Sequence, residues 1–341
     1  MIKFEDLKIS NTELGRGGFG VVYKGIWLLT EVAIKEVLLT GSIEETVIRE
    51  FEAEANTMRA LRHPNIVAFY GYCTSPKCCI VMEYMPQGSL YNLLRNRQAE
   101  IPWDVRLRIA LDISRGLVYL HAMNFVHRDI KSMNVLLNGQ SKACLADFGL
   151  ARVKRETLAV PTRSTQAVGT VPWMAPELFE KKAVYTRKCD IYSLGVTLWE
   201  LASRKLPFQD STRYVLIPMW VKDGEREVIP EDCPPKLASV IKACWDGNPS
   251  LRPDAEVVAQ LLMSGEDLDW VDFLSSSRSA SVSEQSAFGY ASNFASYASN
   301  FASAVNPKPE SGGSEIHGAV PTPLSGPMAE KVDNISVFAG N

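Results

Sequence analysis

Val126-His127-Arg128-Asp129-Ile130-Lys131-Ser132-Met133-Asn134, followed thirteen residues after Asn134 by Asp147-Phe148-Gly149, is the stretch on which the reading of this chain turns. It supplies two oxygen donors suited to a hard cation (Asn134 and Asp147), one further carboxylate (Asp129) and one ammonium (Lys131). Magnesium takes oxygen ligands and is usually held by one or two carboxylates together with substrate phosphates. Asp129 and Asn134 stand five residues apart, so a single loop can aim the first at a hydroxyl and the second at a metal. Each residue alone reads equally well as a polar loop cap; their joint occurrence in this order does not.

Working outward, the N-terminal side carries Gly15-Arg16-Gly17-Gly18-Phe19-Gly20 and then Val21-Val22. Glycines let a backbone approach phosphate oxygens closely and adopt positive φ. A G-x-G-x-x-G alone is a weak signal, and its common rival, the dinucleotide fingerprint, needs a helix after it. Here the following residues are β-branched and aromatic and end in Gly25, so a strand–loop–strand flap fits better. Val32-Ala33-Ile34-Lys35 comes next. Alternate side chains of a strand share a face, which puts Ala33 and Lys35 together: a small residue for a flat base beside a cation for a phosphate. For Lys35 alone, an exposed lysine on an edge strand is the competing reading. Glu54 bears on that choice, because it lies on the helical stripe of Phe51, Ala55, Met58 and Leu61 and faces the core. A buried carboxylate needs a partner, and Lys35 is a candidate. Glu50, one turn earlier, is the rival for this role.

Leu7 to Leu14, Val21 to Gly25 and Glu31 to Val37 read as strands. After Gln87-Gly88 the pattern turns helical, with stripes through Leu107, Ala110, Leu111, Ser114, Leu117, Val118 and His121, and through Ile191, Leu194, Leu198 and Leu201. The expected fold is α+β and bilobal: a small, mainly antiparallel β N-lobe with one helix, and a larger, mainly α-helical C-lobe.

On these motifs the chain resembles the eukaryotic-type protein kinases over residues 8–265, with an N-lobe of about 8–84 and a C-lobe of about 85–265. The glycine loop, Val32-Ala33-Ile34-Lys35, His127-Arg128-Asp129, Asp147-Phe148-Gly149 and Trp173-Met174-Ala175-Pro176-Glu177 occur in the family's order. The resemblance implies ATP and Mg²⁺ as cofactors and protein substrates as partners. Gly15, Gly17, Gly18 and Gly20 would cover the phosphates. Lys35 would bind the α/β-phosphates, oriented by Glu54. Asp129 would act on the substrate hydroxyl, Lys131 would steady the γ-phosphate, and Asn134 and Asp147 would hold Mg²⁺. Adenine would lie between Leu14, Val22 and Ala33 above and Leu136 below, its polar edge at the hinge Glu83-Tyr84-Met85, with Met82 narrowing the space behind it. Glu177 would pair with Arg252, and Asp190 would brace the catalytic loop.

Lys131 and Thr170 follow the Ser/Thr pattern, whereas Trp173 to Glu177 and Cys244-Trp245 have a tyrosine-kinase flavour. That mixture resembles the tyrosine-kinase-like group of Ser/Thr kinases and implies transfer to Ser/Thr, with dual specificity as the alternative. A pseudokinase scaffold would be expected to lack Lys35, Asp129 or Asp147, and all three are present. A small-molecule kinase is disfavoured by Ala175-Pro176-Glu177 and Arg252. Between Asp147 and Glu177, Thr162, Ser164 and Thr165 are candidate regulatory sites, where a phosphate would pair with Arg128.

Composition agrees. The 341 residues carry a formal net charge of −3, so no global positive field exists to hold nucleic acid. No apolar run approaches the roughly 20 residues that span a bilayer. Residues 1–6 lack a signal-peptide core and neither end carries a lipidation motif, so the cytoplasm is the expected compartment. The seven cysteines, odd in number and without a C-x-x-C, are expected as buried thiols. Residues 276–341 are rich in Ser, Ala, Gly, Asn and Pro and read as a disordered tail. Its repeat Tyr290 to Ser296 and Tyr297 to Ser303 leaves a docking role open.

Overall fold

β-branched residues set the first half of the chain. In the computed structural model, residues 1–17, 20–37, 45–147, 170–211 and 213–264 are described, apart from the side chains of residues 45–47, 50, 54 and 57. Strands β1 (Leu7–Gly17), β2 (Gly20–Trp27), β3 (Thr30–Val37), β4 (Phe69–Cys73) and β5 (Cys79–Glu83) form one sheet in the order β1-β2-β3-β5-β4, every neighbour antiparallel. The pleat sorts β3 as its alternation predicts. Val32 and Ile34 join Ile2, Leu7, Cys73, Cys79 and Val81 in an outer apolar cluster, leaving Ala33 and Lys35 for the opposite face. Helix α1 (Glu45–Arg59) covers that inner side. Its predicted stripe of Phe51, Ala55 and Met58 is buried, and Phe51 meets Tyr72 of β4 edge-on at 5.8 Å.

The two-residue turn between β2 and β3 breaks a local rule. Leu28 and Leu29 hold φ of 46° and 64°, and both are exposed, Leu29 by 97%. Such turns favour Asn-Gly, because side chains other than Asn, Asp and Gly carry a cost in the left-handed region. Leu28→Asn with Leu29→Gly is therefore expected to stabilise the protein by about 1 kcal/mol, raising Tm by about 2–4 °C. A thermal melt with an unchanged or lower Tm would contradict this.

The second half is mainly helical: α2 (Leu90–Arg95), α3 (Trp103–Ala122), the hairpin β6 (Val135–Leu137) and β7 (Ala143–Leu145), α4 (Arg187–Ser203), α5 (Ile217–Lys222), α6 (Pro235–Cys244) and α7 (Ala255–Met263). Ser89 caps α2, its Oγ accepting from Asn92 N at 3.2 Å. α3 keeps its expected stripe in part, with Ala110, Ser114, Leu117 and His121 buried. Ile109, Ile113, Leu117 and Leu120 are fully buried, while Leu107, Leu111 and Val118 are only half-buried. The buried face is wider than that stripe because α3 packs against the β6–β7 hairpin, α4 and α7 together. α4 buries its predicted stripe and much besides, as a helix apolar all round must. At Gly195 a methyl group would stand 2.8 Å from Cys244 Cβ, so the close approach of α6 requires glycine there.

Asn65 ties the halves together: its Nδ2 donates to Ala143 O at 3.0 Å, and its carbonyl accepts from Leu145 N at 2.9 Å. All seven cysteines are buried. Among the described residues no helix is long and apolar enough to cross a membrane.

Candidate active site

The loop after α3 is held from below. Asp190, near the start of α4 and 1% exposed, accepts from His127 N and Arg128 N, each at 2.8 Å, and stands 2.9 Å from His121 Nε2. Those bonds support the loop where Arg128 takes φ 70°, a conformation that persists only when its surroundings impose it. Asp190 thus braces the loop as the resemblance implied.

What the brace presents is a compact set of functional groups. Lys131 Nζ donates to Asp129 Oδ1 at 2.9 Å, to Asp129 Oδ2 at 3.1 Å and to Thr170 Oγ1 at 3.0 Å. Asn134 Nδ2 donates to the Asp129 carbonyl at 2.7 Å and to its Oδ2 at 2.9 Å. Asn134 thereby commits its amide N–H groups to the loop and keeps Oδ1 as its acceptor, the atom a hard cation takes. The Asn134 carbonyl accepts from Ala146 N at 2.9 Å, which sets the next residue, Asp147, beside the loop. Asp147 also has positive φ, 60°, and both its carboxylate oxygens lie 2.6 Å from Lys35 Nζ. Lys35 is 4% exposed and pairs in register with Ile80, in the middle of the sheet, so the edge-strand reading does not hold. The oxygen set of Asn134 and Asp147 fits magnesium by donor chemistry and by placement on adjoining segments.

Above this group the sheet forms a slot. Ala33 is paired with Met82 and buried, Val22 and Leu136 are half-buried, and Leu14 is half exposed. Met85 is buried, and its N–H makes no hydrogen bond among the described residues, whereas Glu83 N is bonded to Ala68 O at 2.8 Å. Behind Met82 lies a cavity of about 20 Å³ lined by Met58, Val67, Phe69, Ile80 and Ala146, room for little more than one water molecule. In the glycine flap, side-chain positions at Gly15 and Gly17 point into open space. Gly20 has φ +154°, and a methyl group there would collide with the Glu36 carbonyl.

Several expected groups lie outside the described residues: Gly18, the Glu50 and Glu54 side chains, Phe148, Gly149, Thr162, Ser164, Thr165 and the tail 276–341. Arg128 Nε is buried and has no hydrogen-bond partner among the described residues.

Away from the slot, Arg252 and Glu177 form a bidentate pair at 2.7 and 2.8 Å. Burial pushes the Glu177 carboxyl up, but the Arg252 hydrogen bonds and charge outweigh it and hold the group below its ordinary range. Sequence reading passed over Glu200 of α4, which is fully buried. Its carboxylate accepts from Ser132 Oγ at 2.7 Å, from Ser132 N at 3.3 Å and from Trp173 Nε1 at 2.7 Å. Burial raises its pKa to about 7, against the opposing pull of the Ser132 and Trp173 bonds and of the Arg95 charge. The signal was available: a lone carboxylate inside the apolar run Leu198-Trp199-Glu200-Leu201 demands partners.

Comparison with known proteins agrees with this geometry. A family model described as protein tyrosine and serine/threonine kinase matches residues 8–262. Serine/threonine-protein kinase STY46 of Arabidopsis thaliana is 39% identical over 262 residues, covering 76% of this chain and 44% of that protein. The probable serine/threonine-protein kinase drkB of Dictyostelium discoideum is 38% identical over 268 residues, covering 78% of this chain and 38% of its own. The Arabidopsis thaliana protein named serine/threonine/tyrosine-protein kinase HT1 is 40% identical over 254 residues, 72% of this chain and 63% of that one. This chain thus spans less than two thirds of each of these relatives.

Proposed function

The chain belongs to the protein tyrosine and serine/threonine kinase family, within its tyrosine-kinase-like group, and on that premise we propose that it transfers the γ-phosphoryl group of ATP to Ser and Thr hydroxyls of protein substrates. The observation that carries this is the contact of Asp129, Lys131, Asn134 and Thr170 in one hydrogen-bonded group, with the Lys35–Asp147 pair adjoining it.

The adenine ring would sit in the slot of Leu14, Val22, Ala33, Met82 and Leu136, its edge on the Met85 N–H and the Glu83 carbonyl. Lys35 would neutralise the α- and β-phosphates. Asn134 Oδ1 and the Asp147 carboxylate would hold Mg²⁺, which when bound offsets phosphate charge. Asp129 is aimed by its bonds from Lys131 and Asn134, and takes the proton of the acceptor hydroxyl. The hydroxyl oxygen forms the new bond to the γ-phosphorus, the bond to the bridging oxygen breaks, and ADP leaves. Lys131, held by Asp129 and Thr170, stands beside the transferred group and stabilises its charge. Its contact with Thr170 favours Ser/Thr acceptors.

The test is transfer of labelled γ-phosphate to a generic protein and to the chain itself, with Mg²⁺ and with chelator, followed by phosphoamino-acid analysis. Phosphoserine and phosphothreonine are expected, only with Mg²⁺. Phosphotyrosine alongside them would establish dual specificity, and protein that neither binds nor consumes ATP would end the reading. A further expectation concerns the adenine slot. Met82→Ala should join the slot to the small cavity behind it and improve use of ATP analogues bulky at N6 by about 10- to 100-fold over the parent. Equal use of such analogues by both forms would place adenine elsewhere.

A further inference from the structure

α4 is apolar nearly all round, yet a polar stripe runs through it. Asp190, Ser193, Thr197 and Glu200 follow one another at spacings of three and four, which is one face of a helix. Asp190 holds the start of the catalytic loop through His127 and Arg128. Ser193 Oγ donates to the Trp173 carbonyl at 2.7 Å, and Thr197 Oγ1 donates within the helix to Ser193 O at 2.8 Å. Glu200 is the member that grips two segments at once. Its Oε1 takes the Ser132 hydroxyl; its Oε2 takes the Ser132 N–H and the Trp173 indole N–H.

Ser132 directly follows Lys131, and Trp173 stands three residues after Thr170. Lys131 and Thr170 are 39 residues apart in sequence, yet their side chains meet at 3.0 Å. The same carboxylate therefore fixes both strands of chain that deliver that contact. We infer that Glu200 is a positioning residue for phosphoryl transfer, setting the register of the catalytic loop against the segment that carries Thr170. This rests on the kinase reading above. Three donors converge on Glu200, and a carboxylate can accept from all of them. Glutamine could keep all three contacts by donating to the Ser132 hydroxyl, whereas methionine, of similar length, offers no oxygen acceptor and leaves both N–H donors without their partner. Asp190 and Ser193 remain in place to anchor both segments in such a variant, so loss of register is separable from loss of fold. Among the described residues, the groups proposed to contact ATP on the sheet and the hinge make no bond to Glu200.

The experiment uses the full chain as four forms: parent, Glu200→Met, Thr170→Ala and the double variant. Steady-state kinetics are measured with ATP and a Ser/Thr protein acceptor, and a thermal melt is run on each. Glu200→Met is expected to lower kcat on the order of 10- to 100-fold, the scale of an ångström-level misplacement, with KM for ATP unchanged. Thr170→Ala should lower kcat comparably, and the double variant should fall no further than Thr170→Ala, because both act through one contact. An unaltered kcat in folded Glu200→Met, or losses that multiply in the double variant, would overturn the inference. Should Glu200→Met melt below the assay temperature, Trp173→Phe, which removes the indole donor together with part of a buried ring, is read in its place by the same criteria. An inactive parent would instead strike the kinase reading itself, so the two failures are distinct.

Discussion

Asp129→Asn is expected to reduce kcat by about 10²- to 10⁴-fold, the range associated with losing a positioned general base. Asparagine keeps the shape, so it still offers an oxygen to Lys131 Nζ, which lies 2.9 Å from Asp129 Oδ1. Two changes separate it from the parent. The amide cannot take up the acceptor's proton, and its N–H₂ faces the donors of Asn134 or Lys131, which now reach Asp129 Oδ2 at 2.9 and 3.1 Å. KM for ATP should move little, since the nucleotide is proposed to be held by the sheet, the hinge and Asp147. Single-turnover transfer with saturating Mg²⁺ and ATP measures the effect. A variant retaining more than about a tenth of parental kcat would remove Asp129 from the proton's path.

The largest effect on stability is expected from Arg252→Ala. The Arg252 side chain is fully buried and binds both Glu177 oxygens and the carbonyls of Asp246, Lys188 and Gly247. Its guanidinium also lies 5.1 Å from the Tyr192 ring centroid. Truncation strands a half-buried carboxylate and three acceptors, and removing one partner of a buried pair costs about 3–5 kcal/mol. Glu177 keeps some contact with water, its side chain being 25% exposed, which favours the lower end. A fall in Tm of roughly 10 °C follows for a domain of this size. Arg252→Lys should recover only part, because an ammonium cannot reproduce the bidentate fork. Acid supplies a second readout. The native Glu177 carboxyl titrates below its unfolded counterpart. Its contribution is therefore fully present above the ordinary carboxylate range and is lost as pH falls through the native value. Arg252→Ala should shrink that acid-side loss, and calorimetry between neutral and acid pH would show whether it does.

The chemistry-bearing loops were legible because their residue types are scarce in that order and their spacing is short. The Phe51 stripe was legible because α1 buries one face, and the Ile191 stripe because α4 is buried nearly all round, so any apolar spacing along it lands in the core. The α3 stripe was right at Ala110, Ser114, Leu117 and His121 but left out Ile109, Ile113 and Leu120, since a helix enclosed on several sides buries more than one stripe. β4 and β5 escaped individual reading because each has only five residues, although Ser75-Pro76 marks the turn between them. The expected Glu54 partner of Lys35 lies outside the described side chains, and the contact of Lys35 with Asp147, 112 residues away, was not read from the sequence because no local pattern encodes that approach. Glu200 was missed because attention to carboxylates went to those inside recognisable motifs, while a buried charge on a core helix announces itself only through the donors around it.

The division of labour between the halves has one more consequence. The ammonium of Lys35 travels with the sheet, whereas Asp129 and Asn134 are moored to α4 through Asp190. Rocking one half against the other would thus change the span between the phosphate-binding ammonium and the proton sink, and the Lys35–Asp147 pair is the strut that resists it.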